Sequence, residues 1–181
     1  MTKILSIDPG PTESGWVHVE SEPFALLGAG VFENESVLEG LRRKQWPADV
    51  VLIEKVVSYM KIVGLPVFET AYNAGRFAEA AHPASVVRLG NTDVRRHICD
   101  TARASESNVR AAIIDRFGGL GGKAVAIGTS KARGPLYGVT AHAWSALALA
   151  LTFADDKLSA AAVRIGAASW EEMHDAKAGG Q

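Results

Sequence analysis

The chain has 181 residues, 48% of them hydrophobic, and a formal net charge of −1. That is enough apolar sequence for one domain with a substantial core, and it excludes a disordered or polyelectrolyte protein. A single cysteine rules out an intrachain disulfide framework and fits a reducing, cytoplasmic setting. The longest apolar run, residues 146–154 broken by Thr152, is under half of the ~20 residues a bilayer needs, and the N-terminus carries no signal-like apolar segment; a soluble protein with no membrane partner is expected.

In chain order, residues 3–8 (KILSID) form an apolar run stopped by Pro9-Gly10, a strand signal. Residues 15–19 and 24–32 are two further strand-like runs with short links, so the first three strands read as an antiparallel meander. Residues 35–45 place Val37, Leu38 and Leu41 on one helical face. Residues 50–53 are continuously apolar and stop at Glu54, repeating the opening pattern. Residues 67–81 predict a helix with Gly75 as its weak point, and residues 85–89 a fifth, β-branched strand. Thr92 is placed to cap a short helix over 94–98, and Ser105 another over 106–117 that Gly118-Gly119 ends. The Gly-rich, basic stretch 118–135 is expected to be a loop. From about residue 136 or 140 to 154 the pattern is that of a strongly apolar, mostly buried helix. Residues 155–181 are expected to be a loosely helical or flexible tail beyond a domain of residues 1–154. The order implies a mixed, five-stranded α/β sheet, three strands antiparallel and two parallel, flanked by helices.

Charge is unevenly spread. Residues 1–41 set Asp8, Glu13, Glu20, Glu22, Glu33, Glu35 and Glu39 against Lys3 alone, whereas residues 116–154 hold Arg116, Lys123, Lys131 and Arg133 and no acid. Such a chain can offer a polyanion a positive face that its net charge hides. Solvated helix faces would give the same composition.

Several familiar motifs fail. The run Gly118-Gly119-Leu120-Gly121-Gly122-Lys123 is not a Walker loop, because Phe117 stands where the first glycine belongs and Ala124 where Ser or Thr must follow the lysine. There is no Gly-x-Ser-x-Gly elbow, and the histidines at 18, 82, 97, 142 and 174 lack zinc-ligand spacing. The Asn34-Glu35-Ser36 sequon has no role in a reducing compartment.

Two strand-end carboxylates remain. Asp8 and Glu54, if on adjacent strands at one edge of the sheet, would repel unless a divalent cation lay between them. In the apolar helix, His142 and Ser145 are three residues apart and share a face. Together Ile4–Gly10, Ile53-Glu54 and His142-Ala143-Trp144-Ser145-Ala146-Leu147-Ala148 resemble the RuvC-type Holliday junction resolvases of the ribonuclease H-like superfamily. There a first strand reads Ile-x-x-Ile-Asp-Pro-Gly, a later strand ends Ile-Glu, and a C-terminal helix runs Asp-Ala-x-Asp-Ala-Leu-Ala. His142 falls where members carry aspartate or histidine; the last aspartate of the family falls on Ser145, the main departure. Val94-Arg95, Ala104 and Asn108-Val109 occupy the places around the family's two DNA-binding lysines. Arg95 keeps the first charge, and Glu106 reverses the second.

The resemblance, covering roughly residues 3–154, implies two-metal phosphodiester hydrolysis of four-way or otherwise branched DNA by a homodimer. Asp8 would bridge two ions, Mg²⁺ or Mn²⁺, with Glu54 on one, His142 on the other and Ser145 contributing only a hydroxyl. Glu69 is a spare ligand candidate. Tyr59 would stack on a base, and Arg95, Arg103, Arg110, Lys123, Lys131 and Arg133 would meet phosphates. A catalytically silent branched-DNA binder and an RNA-processing nuclease of the same superfamily are alternatives. An actin-like ATPase is a third, opposed by the lack of an early phosphate loop.

Overall fold

The computed structural model describes residues 1–57 and 64–156; Tyr59 and the expected tail after residue 156 lie outside the described residues. Five strands, β1 (Lys3–Asp8), β2 (Glu13–Ser21), β3 (Phe24–Glu33), β4 (Val50–Glu54) and β5 (Ser85–Leu89), form one sheet in the order β3-β2-β1-β4-β5. The first three strands pair antiparallel, and β4 and β5 run parallel to β1. The expected mixed sheet is therefore present, with the first strand at its centre.

Helices cover both faces. α1 (Asn34–Arg42) and α2 (Leu65–Ala80) pack on one, where Leu5, Ile7, Val51 and Ile53 meet Val37, Leu38 and Phe77. On the other face, α3 (Asn91–Cys99), α4 (Glu106–Gly118), α5 (Gly122–Ala126) and α6 (Ala143–Asp155) bury Ile4, Val50, Leu52 and Val17 under Ile113, Leu147 and Leu151. Strand residues alternate between faces. Because Ile4 and Leu52 point toward α6, so do Asp8 and Glu54, four and two residues further along. The strand pattern that builds the core also decides where the acids face.

Three local expectations differ. Thr92 does not cap α3: that helix starts three residues earlier than expected, at Asn91, with Gly90 in the N-cap position, Thr92 inside the first turn and no side-chain cap hydrogen bond. The stretch 118–135 is not all loop. A single 3₁₀ turn, Gly119–Gly121, leads into α5, and Gly119 and Gly122 supply left-handed backbone (φ +50 each) that folds the chain back and buries Ala126. The last helix starts at Ala143, not at 136 or 140. Gly138 (φ 95) and Ala141 (φ 40) take left-handed conformations that interrupt it, while Leu136 and Val139 are buried from a non-helical segment. Ser105 does cap α4, in a reciprocal capping box with Asn108. Among the described residues no helix is long and apolar enough to cross a membrane.

Candidate active site

β1 and β4 are paired in parallel with Ile7 opposite Ile53, so the next residues, Asp8 and Glu54, emerge side by side at the C-terminal edge of the sheet. The two carboxyls are close enough for Glu54 to act directly on the ionisation of Asp8. Asp8 is mostly buried, its side chain 15% exposed. Burial first, and then the Glu54 carboxylate, push its pKa from 3.8 up to about 8; a hydrogen bond from Ser145 opposes the rise, and Glu106 adds to it. His142 Nδ1 lies 3.6 Å from Asp8 Oδ2, at ion-pair range and beyond a hydrogen bond. Asn91, at the start of α3, donates from Nδ2 to Glu54 Oε1 at 3.1 Å. The structure thus brings Asp8, Glu54, His142 and Ser145 together. His142 occupies the N-cap of α6 instead of its interior, yet in α-region backbone (φ −63, ψ −16), so it keeps its place one turn before Ser145.

Two supports position this group. The turn after Asp8 is held by side chains from other elements. Asn34 Nδ2 donates to the Gly10 carbonyl at 3.0 Å, Ser14 Oγ donates to Asn34 Oδ1 at 2.6 Å, and Asn73 Nδ2 reaches the Pro11 carbonyl at 3.3 Å. All three residues are buried. Asn34 of the sequon is thus a strut of this turn. Gly15 provides the second support. It pairs with Asp8 across the β1–β2 ladder, and a Cβ there would come within 2.3 Å of the His142 carbonyl carbon. The missing side chain lets the start of α6 rest on the sheet beside Asp8.

Glu54, Asn91 and Arg95 stand between two open cavities. One, of about 410 Å³, is bounded by α3, α4 and α6 and takes in His142, Ser145, Glu106, Arg110 and Trp144. The other, about 320 Å³, is lined by Asp8, Pro9, Val56, Val67 and Thr70. Arg95 lines both, with its Nε buried and without a hydrogen-bond partner among the described residues. Arg110 lies over the Trp144 ring, 4.8 Å from guanidinium carbon to centroid. Arg103, Lys123, Lys131 and Arg133 are exposed but line neither cavity, Arg133 lying over Tyr137 at 4.9 Å. Glu69 is exposed on α2 and likewise stands outside both. Asp155, at the far end of α6, is tied to Arg116 at 2.8 Å and His97 at 3.1 Å. Asn34, Asn73, Asn91, and Gly15 as a seat for α6, were not singled out from sequence.

No protein-family model matches the sequence, and no curated protein matches it. Solved structures do. The structure of Thermus thermophilus RuvC superposes with a TM-score of 0.57 over 91% of this chain and 96% of that one, at 22% identity. T. thermophilus RuvC in complex with Holliday junction substrate gives 0.55 over 92% and 97%, at 20% identity. The chain has the RuvC fold. The mixed five-stranded sheet expected from sequence is the sheet of that fold, and at this identity the likeness is one of fold.

Within this RuvC fold the donor set suits divalent cations in one specific way. Among the described residues no three His, Cys, Asp or Glu side chains gather around one point. Asp8 instead meets Glu54 on one side and His142 on the other, two pairs with one shared member. A carboxyl whose pKa is held up to about 8, first by burial and then by the adjacent Glu54, is one whose ionised form a nearby positive charge would favour. Oxygen donors of this kind fit hard cations, and an imidazole in the set favours Mn²⁺ more than it does Mg²⁺.

Proposed function

We propose that this protein is a metal-dependent, structure-selective endonuclease that resolves four-way or otherwise branched DNA. One observation carries the reading: a mostly buried Asp8 on the central strand is pressed against Glu54 on one side and faces His142 on the other, where two open cavities meet. Burying two adjacent carboxyls weakens a resting fold. A cation-dependent reaction at that edge gives the arrangement a purpose.

Asp8, Glu54 and His142 would hold two divalent ions, with Asp8 shared. Such ions, when bound, supply a water acidic enough to attack a phosphodiester and a countercharge for the departing 3′ oxygen. Asn91 occupies Glu54 Oε1 and so selects which oxygen Glu54 offers. Ser145, whose hydroxyl favours the ionised form of Asp8, would orient it without adding charge. Arg95, reaching both cavities, would take a phosphate beside the acids, and Arg110 a second one further along. Residues 1–154 would form the nuclease unit, with 155–181 appended.

A homodimer is part of the reading. T. thermophilus RuvC, of the same fold, is known in complex with a Holliday junction substrate, and a four-way junction offers two equivalent sites. α2 presents Leu65, Phe68 and Tyr72, 70%, 61% and 62% exposed, at i, i+3 and i+7 on one face. Gly75 continues that face with open space where a Cβ would go. A stripe this apolar suits a second copy of itself across a two-fold axis.

The test is cleavage of a labelled four-way junction beside linear duplex, with Mg²⁺ or Mn²⁺, for the wild type and Asp8→Asn. Paired symmetric cuts that vanish in the variant are expected. Tight junction binding without cuts in either metal would make the protein a silent binder, and preferential cutting of structured RNA an RNA-processing nuclease. Absence of both junction binding and cutting would overturn the proposal.

A further inference from the structure

Four buried side-chain polar atoms lack a hydrogen-bond partner among the described residues: Ser6 Oγ, Trp16 Nε1, Arg95 Nε and Trp144 Nε1. Ser6 and Trp16 line neither cavity beside the acids, whereas Arg95 and Trp144 both line the one of about 410 Å³. Their two free atoms are donors, and neither side chain can accept. Trp144 is only 6% exposed, so its N–H is withdrawn from water, which costs stability until an acceptor reaches it. The floor of the cavity is apolar, with Val94, Val109, Ala148 and Leu149 buried there; Glu106 and Arg110 are exposed at its rim. Arg110 lies over the Trp144 ring. Pockets for small ligands run to roughly 300–1,000 Å³, so this one has room for a single flat ring system and little more. Glu54, Asn91 and Arg95 also line the cavity that holds Asp8, which sets any occupant next to the acids.

We propose that this cavity receives one unstacked nucleobase of the DNA strand whose phosphodiester lies at Asp8 and Glu54, and that Trp144 Nε1 and Arg95 Nε donate to its acceptor edge. This rests on the nuclease reading above. A base taken out of its stack needs cover for its ring and partners for its edge. The apolar floor and the guanidinium face of Arg110 supply the first, and the two free donors supply the second. Arg95 keeps its terminal nitrogens for the neighbouring phosphate. The donors also choose among bases. Guanine and thymine carry a keto oxygen beside a ring N–H; adenine and cytosine carry an amino group beside a bare ring nitrogen. A wall that only donates meets the keto oxygen as a partner and the amino group as a competing donor. Glu106, an acceptor at the rim, suits the ring N–H. Guanine or thymine is therefore the base admitted.

The experiment follows the indole N–H resonances of the nitrogen-15-labelled full chain, in EDTA, as deoxynucleoside 5′-monophosphates are added. The chain has four tryptophans, and the resonance missing in Trp144→Phe identifies that of Trp144. Both dGMP and dTMP should move it saturably and bind roughly three- to tenfold tighter than dAMP and dCMP, the worth of one hydrogen bond. Deoxyribose 5-phosphate, which has no base, should leave it in place. Trp144→Phe keeps an aromatic ring beneath Arg110 but no donor, so the preference for dGMP over dAMP, read from backbone amides, should shrink. Equal movement with the base-free sugar phosphate would mark a phosphate site and overturn the inference, as would equal affinity for all four nucleotides. A Trp144 resonance that never moves, in a protein that still cuts junctions, would overturn this inference and leave the nuclease reading standing. Movement with dGMP in a protein that neither binds nor cuts junctions would overturn the nuclease reading, and with it the DNA strand as occupant. Circular dichroism melts confirm that Trp144→Phe is folded.

Discussion

Asp8→Asn should stabilise the metal-free protein. An acid whose pKa is raised on folding keeps in the native state a proton that the unfolded chain has already released. Native stability therefore falls as pH rises through the window between the two values, here from 3.8 to about 8, and flattens above it. Each unit is worth about 1.36 kcal/mol, so by pH 7 the ordinary carboxyl has lost roughly 4 kcal/mol relative to a permanently neutral one. Rotation of Glu54 away from Asp8 relieves part of this, leaving about 2–4 kcal/mol. Asparagine cannot ionise, is the same size, and can donate to Glu54. For a domain of this length that gain is roughly 5–15 °C in melting temperature. Thermal melts in EDTA from pH 4.5 to 9 should show a wild-type midpoint that falls toward pH 8 and an Asp8→Asn midpoint that is flatter and higher at neutral pH. Mn²⁺ should raise the wild type alone. A variant less stable than the wild type at pH 8, or one with the same pH slope, would refute the argument that burial against Glu54 governs Asp8.

Gly15→Ala puts a methyl where the His142 carbonyl carbon is 2.3 Å away, so α6 must shift; junction cleavage should drop on the order of 100-fold with the fold retained by circular dichroism. Asn34→Ala removes the strut that joins Gly10 to Ser14, leaving buried groups unpartnered; urea unfolding should register a loss of about 1–3 kcal/mol. Phe68→Glu places a charge in the middle of the α2 stripe, twice in the proposed dimer; light scattering should show association weakened, with Kd raised by roughly 100-fold or more, and an unchanged dimer would exclude α2 as the interface. Arg95→Gln should weaken junction binding and lower the salt dependence of that binding by about one phosphate contact.

The strands were legible because each is a short apolar run stopped by a turn residue, and β1 and β5 have the bounds that pattern predicts. Asp8 and Glu54 stood out for the same reason, since a run of buried residues ending on an acid is locally conspicuous. What holds them was not. Asn34, Asn73 and Asn91 act on residues 24, 62 and 37 positions away, and nothing near an asparagine announces a distant carbonyl or carboxylate. α5 escaped because four glycines surround it, and glycine composition reads as loop even where left-handed backbone is used to turn into a helix. The N-terminal limit of α6 depended on left-handed backbone at Ala141, a conformation alanine's sequence propensities do not suggest. Lys123, Lys131 and Arg133 were grouped with the site by charge alone, and their side chains line neither cavity beside the acids.

The parallel register of β1 and β4 has a consequence for how such a centre can change. Asp8 and Glu54 are adjacent because every residue pair before them is matched, from Ile4 with Val50 to Ile7 with Ile53. Moving either acid to another position along its strand would require re-threading the middle of the sheet. The groups that meet them hang from helix starts, Asn91 on Glu54 and His142 beside Asp8, where one substitution alters the chemistry without disturbing a ladder. The centre thus has a fixed half and an exchangeable half. New side-chain chemistry is introduced at this edge with least disturbance of the sheet from the helical half.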